Sequence, residues 1–460
     1  MSGRLAILGG GCTGPLLAAL LARGGRQVRI YERRSDPRRD RVDEGRSINL
    51  ALAARGIAAL EYAGLMGAVE PLLLPMRGRM LHELGAAPRL LPYGQRPEEL
   101  LWSVSRAALN RTLLDAAESR GVEIAFGHAC VGADFDAGWI EIEELASGRR
   151  QRAPMTCEQP VIGADGAGSV LRAAMVAARL ATAVEEELAH GYKELTMAAG
   201  PGGRHLLDAA ALHIWPRGGY MLIALPNLDG SFTATVFLAN HGAPPSFEAL
   251  GDGAAVTALF TREFPDAQAL IPDLAAQFAT HALGKLATIH TRPWHAGGCA
   301  LLIGDAAHAI VPFHGQGMNF AFEDCRALAE LLASGDAGAW PNCFARFDAL
   351  RREDAAAIAR MALANYVEMR ETVRDPRFAL QQQLALALER RYPQRFIPRY
   401  SMVMFHAEIG YATAERRGEV QAELLAAATR DCERLEDVDL PAVEAALVAR
   451  LPALSDGAPM

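Results

Sequence analysis

The chain of 460 residues contains almost no lysine: only Lys193 and Lys285, the rest of its 46 basic residues being arginine. Against 54 acidic residues this leaves a net charge of -8, which excludes a general attraction to nucleic acid or anionic lipid. The arginine bias itself reads as codon usage and points to no function. Seven cysteines are scattered along the chain without a C-x-x-C pair, which excludes a zinc ribbon or a dithiol centre and fits a reduced, cytoplasmic setting. Long apolar runs are missing too. Leu5 to Ala22 carries no charge, but Gly9, Gly10, Gly11, Gly14 and Pro15 break it, so it suits a strand, a turn and a helix start better than a signal peptide or a membrane helix. There is no repeat or low-complexity linker. What is present, 51% hydrophobic and 22% charged residues, is ordinary for a globular chain with a sizeable core.

The N-terminus reads as a βαβ unit: a buried strand over Arg4 to Leu8, a turn over Gly9 to Gly14, a helix over Pro15 to Gly24 and a strand over Gln27 to Glu32. Arg33 to Arg46 reads as a loop, Ala51 to Ala63 and Arg106 to Arg120 as helices, and Met76 to His82, Val122 to Phe126 and Val161 to Ala164 as strands. Between Leu212 and Leu238 three apolar runs meet at Arg217-Gly218-Gly219 and Asp229-Gly230, which predicts an antiparallel sheet. A buried strand returns at Ala300 to Ile303, then a glycine-rich loop and a helix with Ala321, Cys325, Leu328 and Leu332 on one face. After Trp340 nearly everything reads as helix.

Gly9-x-Gly11-x-x-Gly14 lies between the first strand and the first helix, and Glu32 ends the next strand. The context is that of a dinucleotide-binding turn. Glycines allow the chain to approach a pyrophosphate closely, the helix start favours the anion, and the acid accepts from ribose hydroxyls. Two more glycine turns carry an aspartate, Gly163-Ala164-Asp165-Gly166 running on to Arg172, and Gly304-Asp305-Ala306-Ala307-His308 running on to Gly317-Met318-Asn319. Each alone reads as a capped turn.

Together and in this order, the three motifs resemble the flavoprotein aromatic hydroxylases. The resemblance implies FAD, with its ADP half on the first motif and Asp305 on the flavin side. The backbone of Gly317, Met318 and Asn319 would face the flavin ring, and Asp165, Arg33 and Arg106 would lie at the cofactor. Only one complete G-x-G-x-x-G is present, so NADPH is expected to visit the flavin domain rather than a domain of its own.

More specific words follow: Gly45-Arg46-Ser47-Ile48-Asn49-Leu50-Ala51-Leu52, Pro75-Met76-Arg77-Gly78-Arg79-Met80, His213-Ile214-Trp215-Pro216, Val311-Pro312-Phe313-His314-Gly315-Gln316-Gly317-Met318-Asn319, and Asn365-Tyr366-Val367-Glu368-Met369. These are similar to the kynurenine-hydroxylating members of that family, from the first strand to about Tyr400. The resemblance implies L-kynurenine, NADPH and O2 as substrates and 3-hydroxy-L-kynurenine as product, formed through a flavin hydroperoxide. It puts substrate contacts at Arg79, Tyr93, Asn365 and Tyr400, with Phe313 and His314 able to face the ring. An arginine fork suits a carboxylate. Spacing alone puts Arg77 and Arg79 on one strand face and does not choose between them; only the resemblance selects Arg79. No residue is assigned as a catalytic acid or base, and no metal is expected. The membrane tail of the family's eukaryotic members is not seen here, so a soluble enzyme is expected, with a homodimer left open.

The expected fold is α/β: a Rossmann-like FAD-binding domain (residues 1–75, 101–175 and 291–340) with an inserted antiparallel sheet domain for substrate (76–100 and 176–290) and a helical C-terminal region (341–460). Two other functions remain open, the same chemistry on another aminoaryl acid and a flavin-binding protein without turnover. A flavin halogenase is set aside because none of the five tryptophans forms its W-x-W-x-I-P word.

Overall fold

A computed structural model describes residues 4–39, 49–334, 340–372 and 375–454. The loop residues 40–46 and the first four residues of the Gly45 word lie outside this set. The chain divides into two compact units, one made of residues 1–74, 102–188 and 285–355, the other of 75–101, 189–284 and 356–460.

The first unit is built on a six-stranded sheet in the spatial order His295–Ala296, Ala300–Leu302, Val161–Gly163, Leu5–Leu8, Val28–Glu32 and Glu123–Phe126. All neighbours are parallel except the first pair. Leu5–Leu8 is central and entirely buried, as a continuous apolar run in a covered parallel sheet should be. The helix Thr13–Arg23 buries every residue from Gly14 to Leu21, so the uncharged stretch of the sequence is a core strand and a core helix. The helix expected from Ala51 starts later. Asn49–Leu52 is a strand paired with Trp102 to Ser105, and the helix runs over Ala54–Ala63. A three-stranded antiparallel sheet over residues 128–154 had no sequence-level assignment; its polar faces pair Glu143 with Arg150 and Glu144 with Arg149.

The second unit holds the predicted antiparallel strands Ala211–Pro216, Met221–Pro226 and Phe232–Ala239. Gly78–Leu81 joins them, parallel to Ala211–Pro216 with Arg79 opposite Leu212, and Arg89–Pro92 closes that edge. One face of the sheet buries Trp215, Leu222, Phe232 and Val236 against Phe260 and Phe278 of short helices and Phe264 between two of them. Lys193 is absorbed here, its ammonium donating to the carbonyls of Phe278 and His281. The C-terminal helices Pro376–Arg391, Tyr411–Ala428 and Leu440–Arg450 form a further core around Leu384, Leu388, Phe396, Leu424 and Leu447. No helix among the described residues is long and apolar enough to cross a membrane. The α/β class, the inserted antiparallel sheet and the helical C-terminal region agree with the expectation from sequence.

Candidate active site

In the first unit the glycine turn is fixed by its own backbone. Gly9 has φ +104°, and a Cβ there would strike the Ala164 carbonyl, while a Cβ on Gly14 would fall on the Gly9 carbonyl oxygen. These two glycines are required by the fold. Gly11 differs: an added Cβ would meet nothing within 4 Å. Its missing side chain leaves room beside the start of the first helix, where the earliest N–H groups have no intrahelical partner. Asn110 braces the turn from the helix Arg106–Ser119, donating to the Gly10 carbonyl at 2.8 Å.

Glu32 stands at this turn, its Oε2 accepting from the Gly10 N–H at 2.5 Å. Its Oε1 accepts from the backbone and Nε of Arg34, both at 2.8 Å. Burial works against ionisation, but the Arg34 and Gly10 bonds outweigh it and hold the carboxyl below its ordinary range. A ribose hydroxyl reaching Glu32 would therefore displace the exposed Arg34 fork. Arg33 and Arg106 are exposed, Arg106 at the first turn of its helix. Cys12 reports the charges around the turn: burial pushes its thiol up, Arg106 and Arg34 oppose the rise and Asp305 adds to it.

Asp305 opens a short helical turn after Gly304, and its Oδ1 lies near Gly317 at the start of the helix Gly317–Ala333. The first backbone bond there runs from the Phe320 N–H to the Gln316 carbonyl, so the N–H groups of Gly317, Met318 and Asn319 precede the intrahelical ladder. The Asn319 side chain is fully engaged elsewhere. It donates to the carbonyls of Ala51 and Gly315 at 2.8 Å and accepts from the Ala53 N–H at 2.9 Å. Asp165 accepts from the Val170 N–H through Oδ2, while its Oδ1 is buried without a partner, and burial raises its pKa. Phe313 and His314 are buried in the turn just before Gly315. The open Gly11, the orphaned Asp165 oxygen and the unspent helix-start N–H groups fit a dinucleotide cofactor.

The second unit gathers Arg79, Tyr93 and Tyr400. Arg79 is 9% exposed, and its guanidinium lies 4.5 Å from the ring centre of Tyr400 and 6.0 Å from that of Tyr93. The two rings stack at 5.7 Å. Burial opposes the charge on Arg79, but Tyr400, Glu368 and Tyr93 favour it, and its pKa lies above the ordinary value. Burial lifts both phenols as well. Among the described residues Arg79 forms one ion pair, a long one from Nη1 to Glu368 Oε1 at 3.4 Å. Arg79 Nε and the Tyr93 hydroxyl are buried without a hydrogen-bond partner. Arg77 has another role, pairing with Asp208 at 2.7 Å while more than half exposed. It precedes the strand Gly78–Leu81, so strand alternation does not apply to it.

Asn365 is buried on the long helix Trp340–Arg370, one turn before Glu368, and donates to the Met369 sulfur at 3.3 Å. Glu368 was absent from the sequence-derived site. Its i,i+3 spacing from Asn365 was the available signal.

The chain matches the model of the FAD binding domain family over residues 4–193 and 262–362. It is 50% identical over 454 residues, 99% of this chain and 98% of the relative, to a kynurenine 3-monooxygenase of Xanthomonas axonopodis pv. citri. The chain belongs to the kynurenine 3-monooxygenase family. These are FAD-dependent aromatic hydroxylases. Among solved structures, a variant of MHPCO, a 2-methyl-3-hydroxypyridine-5-carboxylic acid oxygenase, shares the fold with a TM-score of 0.64 at 19% identity, covering 85% of this chain and 97% of that one. PqsL of P. aeruginosa, solved in complex with 2-aminobenzoylacetate, gives a TM-score of 0.62 at 22% identity over 80% of this chain and 96% of that one. Membership of the kynurenine 3-monooxygenase family makes the chain a flavin monooxygenase with FAD as its cofactor.

Proposed function

We propose that the protein hydroxylates L-kynurenine on the ring carbon beside the amine. The balance is L-kynurenine, O2, NADPH and a proton to 3-hydroxy-L-kynurenine, water and NADP+. The observation that carries this reading is the buried, under-partnered Arg79 between two tyrosines, with its own Nε and the Tyr93 hydroxyl unsatisfied. Leaving such groups unpaired costs about 1–3 kcal/mol each. A carboxylate accepts from both and matches the arginine fork.

In this reading Arg79 takes the substrate carboxylate, Tyr93 and Tyr400 donate to it, Glu368 steadies the guanidinium and Asn365 adds a polar contact. Phe313 and His314 face the aromatic ring. The groups at Gly9, Gly11, Gly14, Glu32, Arg33, Arg106, Asp165, Asp305, Gly317, Met318 and Asn319 hold FAD, and NADPH visits the flavin-binding unit. Bound FAD, reduced by NADPH, supplies the electrophilic oxygen taken from O2. The chain orients the ring and keeps water away. The aniline ring is already electron-rich, so no side chain is assigned as acid or base.

The test is NADPH oxidation by the FAD-loaded protein with and without L-kynurenine, with mass spectrometry of the product. A product one oxygen heavier supports the reading. Stimulated oxidation that yields only hydrogen peroxide makes kynurenine an effector, and no response removes it as a ligand.

A further inference from the structure

The His213-Ile214-Trp215-Pro216 word takes no part in the proposed chemistry, yet two of its side chains and that of Arg217, which follows it, converge on His82, the residue after the Arg79 strand. His82 Nε2 lies 2.8 Å from His213 Nδ1, and His82 Nδ1 lies 3.0 Å from Asp266 Oδ2. The Trp215 indole N–H donates to both Asp266 oxygens at 2.9 and 3.0 Å, and its ring stacks on His82 at 4.2 Å. Arg217 donates to the His82 carbonyl at 3.0 Å and, through Nε, to the Glu263 carbonyl at 2.7 Å, with the Glu263 carboxylate 3.9 Å away. His82 and His213 are both buried.

The directions of these bonds fix the protons. His213 Nε2 faces the Asp208 carbonyl at 2.9 Å, which can only accept, so that nitrogen carries a proton. Asp266 is ionised. Burial works against that, but the bonds from His82 and Trp215 prevail and hold it at about 2. His82 Nδ1 must therefore donate as well. One further proton lies between the two rings, so the pair holds three N–H protons and one positive charge. Burial lowers His213 to about 4, so His213 stays neutral and His82 is the imidazolium, neutralised by Asp266.

We propose that His82, His213 and Asp266 form a proton-dependent clamp that positions Arg79 by holding its strand in register on the His213 strand. The clamp sits at the end of that ladder, where Arg79 pairs with Leu212, Met80 with His213, and the His82 N–H donates to the Ile214 carbonyl at 2.9 Å. The inference rests on Arg79 as the carboxylate site. Removing the His82 proton leaves two N–H protons for three bonds. Either the imidazole lone pair faces the Asp266 carboxylate or two lone pairs face each other, and one bond is lost. The clamp therefore loosens once His82 gives up that proton. It also loosens as pH falls toward about 4, where His213 takes a proton and its Nδ1 ceases to accept.

Asp266→Asn gives a sharp test, because its amide donates to a neutral His82 Nδ1 while its oxygen still accepts from Trp215. The clamp then closes without the extra proton. For the FAD-loaded wild type, KM for L-kynurenine is expected to rise roughly five- to tenfold on the alkaline side, the scale of one lost hydrogen bond, with kcat little changed. For D266N the KM profile is expected to be flat. His82→Phe keeps the stack on Trp215 but loses both bonds, so its KM is expected to be raised at every pH with FAD retained. Histidine 15N NMR reads the clamp directly, with both His82 nitrogens protonated while the clamp is closed. So does amide exchange across Gly78–Leu81, which should quicken with pH in the wild type beyond its rate in D266N. A singly protonated His82, or identical pH profiles for wild type and D266N, overturns the proposal. If L-kynurenine fails to stimulate the wild type, the proposed substrate is wrong, and the NMR and exchange results decide the clamp alone.

Discussion

The Arg79 guanidinium lies 4.5 Å from the ring centre of Tyr400, with Glu368, at 3.4 Å, as its one ion-pair partner among the described residues. A buried cation held by aromatic faces and one long ion pair is poised for an anionic ligand.

Arg79→Ala should therefore raise KM for L-kynurenine by roughly ten- to a hundredfold, the loss of one or two charge-assisted bonds. FAD should remain bound, because Arg79 belongs to the second unit. Steady-state kinetics and the visible flavin spectrum check both parts. Loss of the flavin would make Arg79 a structural residue.

Tyr93→Phe separates binding from folding. Its hydroxyl is buried and unpartnered, so removing it should leave the melting temperature unchanged or slightly higher. The same change should raise KM several-fold, since a donor to the carboxylate is gone. Calorimetry and kinetics on one variant are enough, and a clear loss of stability would contradict the assignment.

The two kinds of glycine predict opposite failures. Gly14→Ala would drive its Cβ onto the Gly9 carbonyl and should prevent folding. Gly11→Ala meets no protein atom and should fold normally while losing FAD affinity by tenfold or more, because the methyl fills the approach to the helix start. Circular dichroism and flavin titration distinguish the two.

Arg34 competes for the carboxylate that a ribose would use. Glu32→Gln should weaken FAD binding by roughly tenfold, whereas Arg34→Ala should leave it unchanged or tighter, since it removes the side-chain bond of 2.8 Å from Arg34 Nε to Glu32 Oε1 and keeps the one from the backbone N–H. Flavin fluorescence titration of the two variants gives the sign, and a weaker Arg34→Ala would make Arg34 part of the cofactor site.

The glycine turn was legible in the sequence because its demands are local: positive φ at Gly9 and a close approach at Gly14 act within a few residues. The antiparallel strands after Leu212 were legible for the same reason, their turns being marked by Gly218 and Gly230 at positive φ. The ion-pair partner of Arg79 and the carboxylate beside His82 were not. Glu368 lies 289 residues further on, and Asp266 lies 184 residues from His82, so no periodicity links them. The sheet over 128–154 escaped because its strands are largely polar on the surface and pair charge with charge. The motif marks Asn319 for its backbone N–H alone; the task of its side chain, tying the helix start to Ala51, Ala53 and Gly315, is set by long-range contacts that the motif does not show.

The scarcity of lysine has a practical consequence. Of the two side-chain amines, that of Lys193 is half-buried and donates to the carbonyls of Phe278 and His281. That of Lys285 is 76% exposed and pairs with Glu187 at 3.3 Å. Amine-directed reagents therefore meet one open lysine side chain on the whole surface. With the α-amine of the chain blocked, a dye, a cross-linker or a solid support should attach chiefly at Lys285, giving a nearly uniformly oriented population without engineering a cysteine.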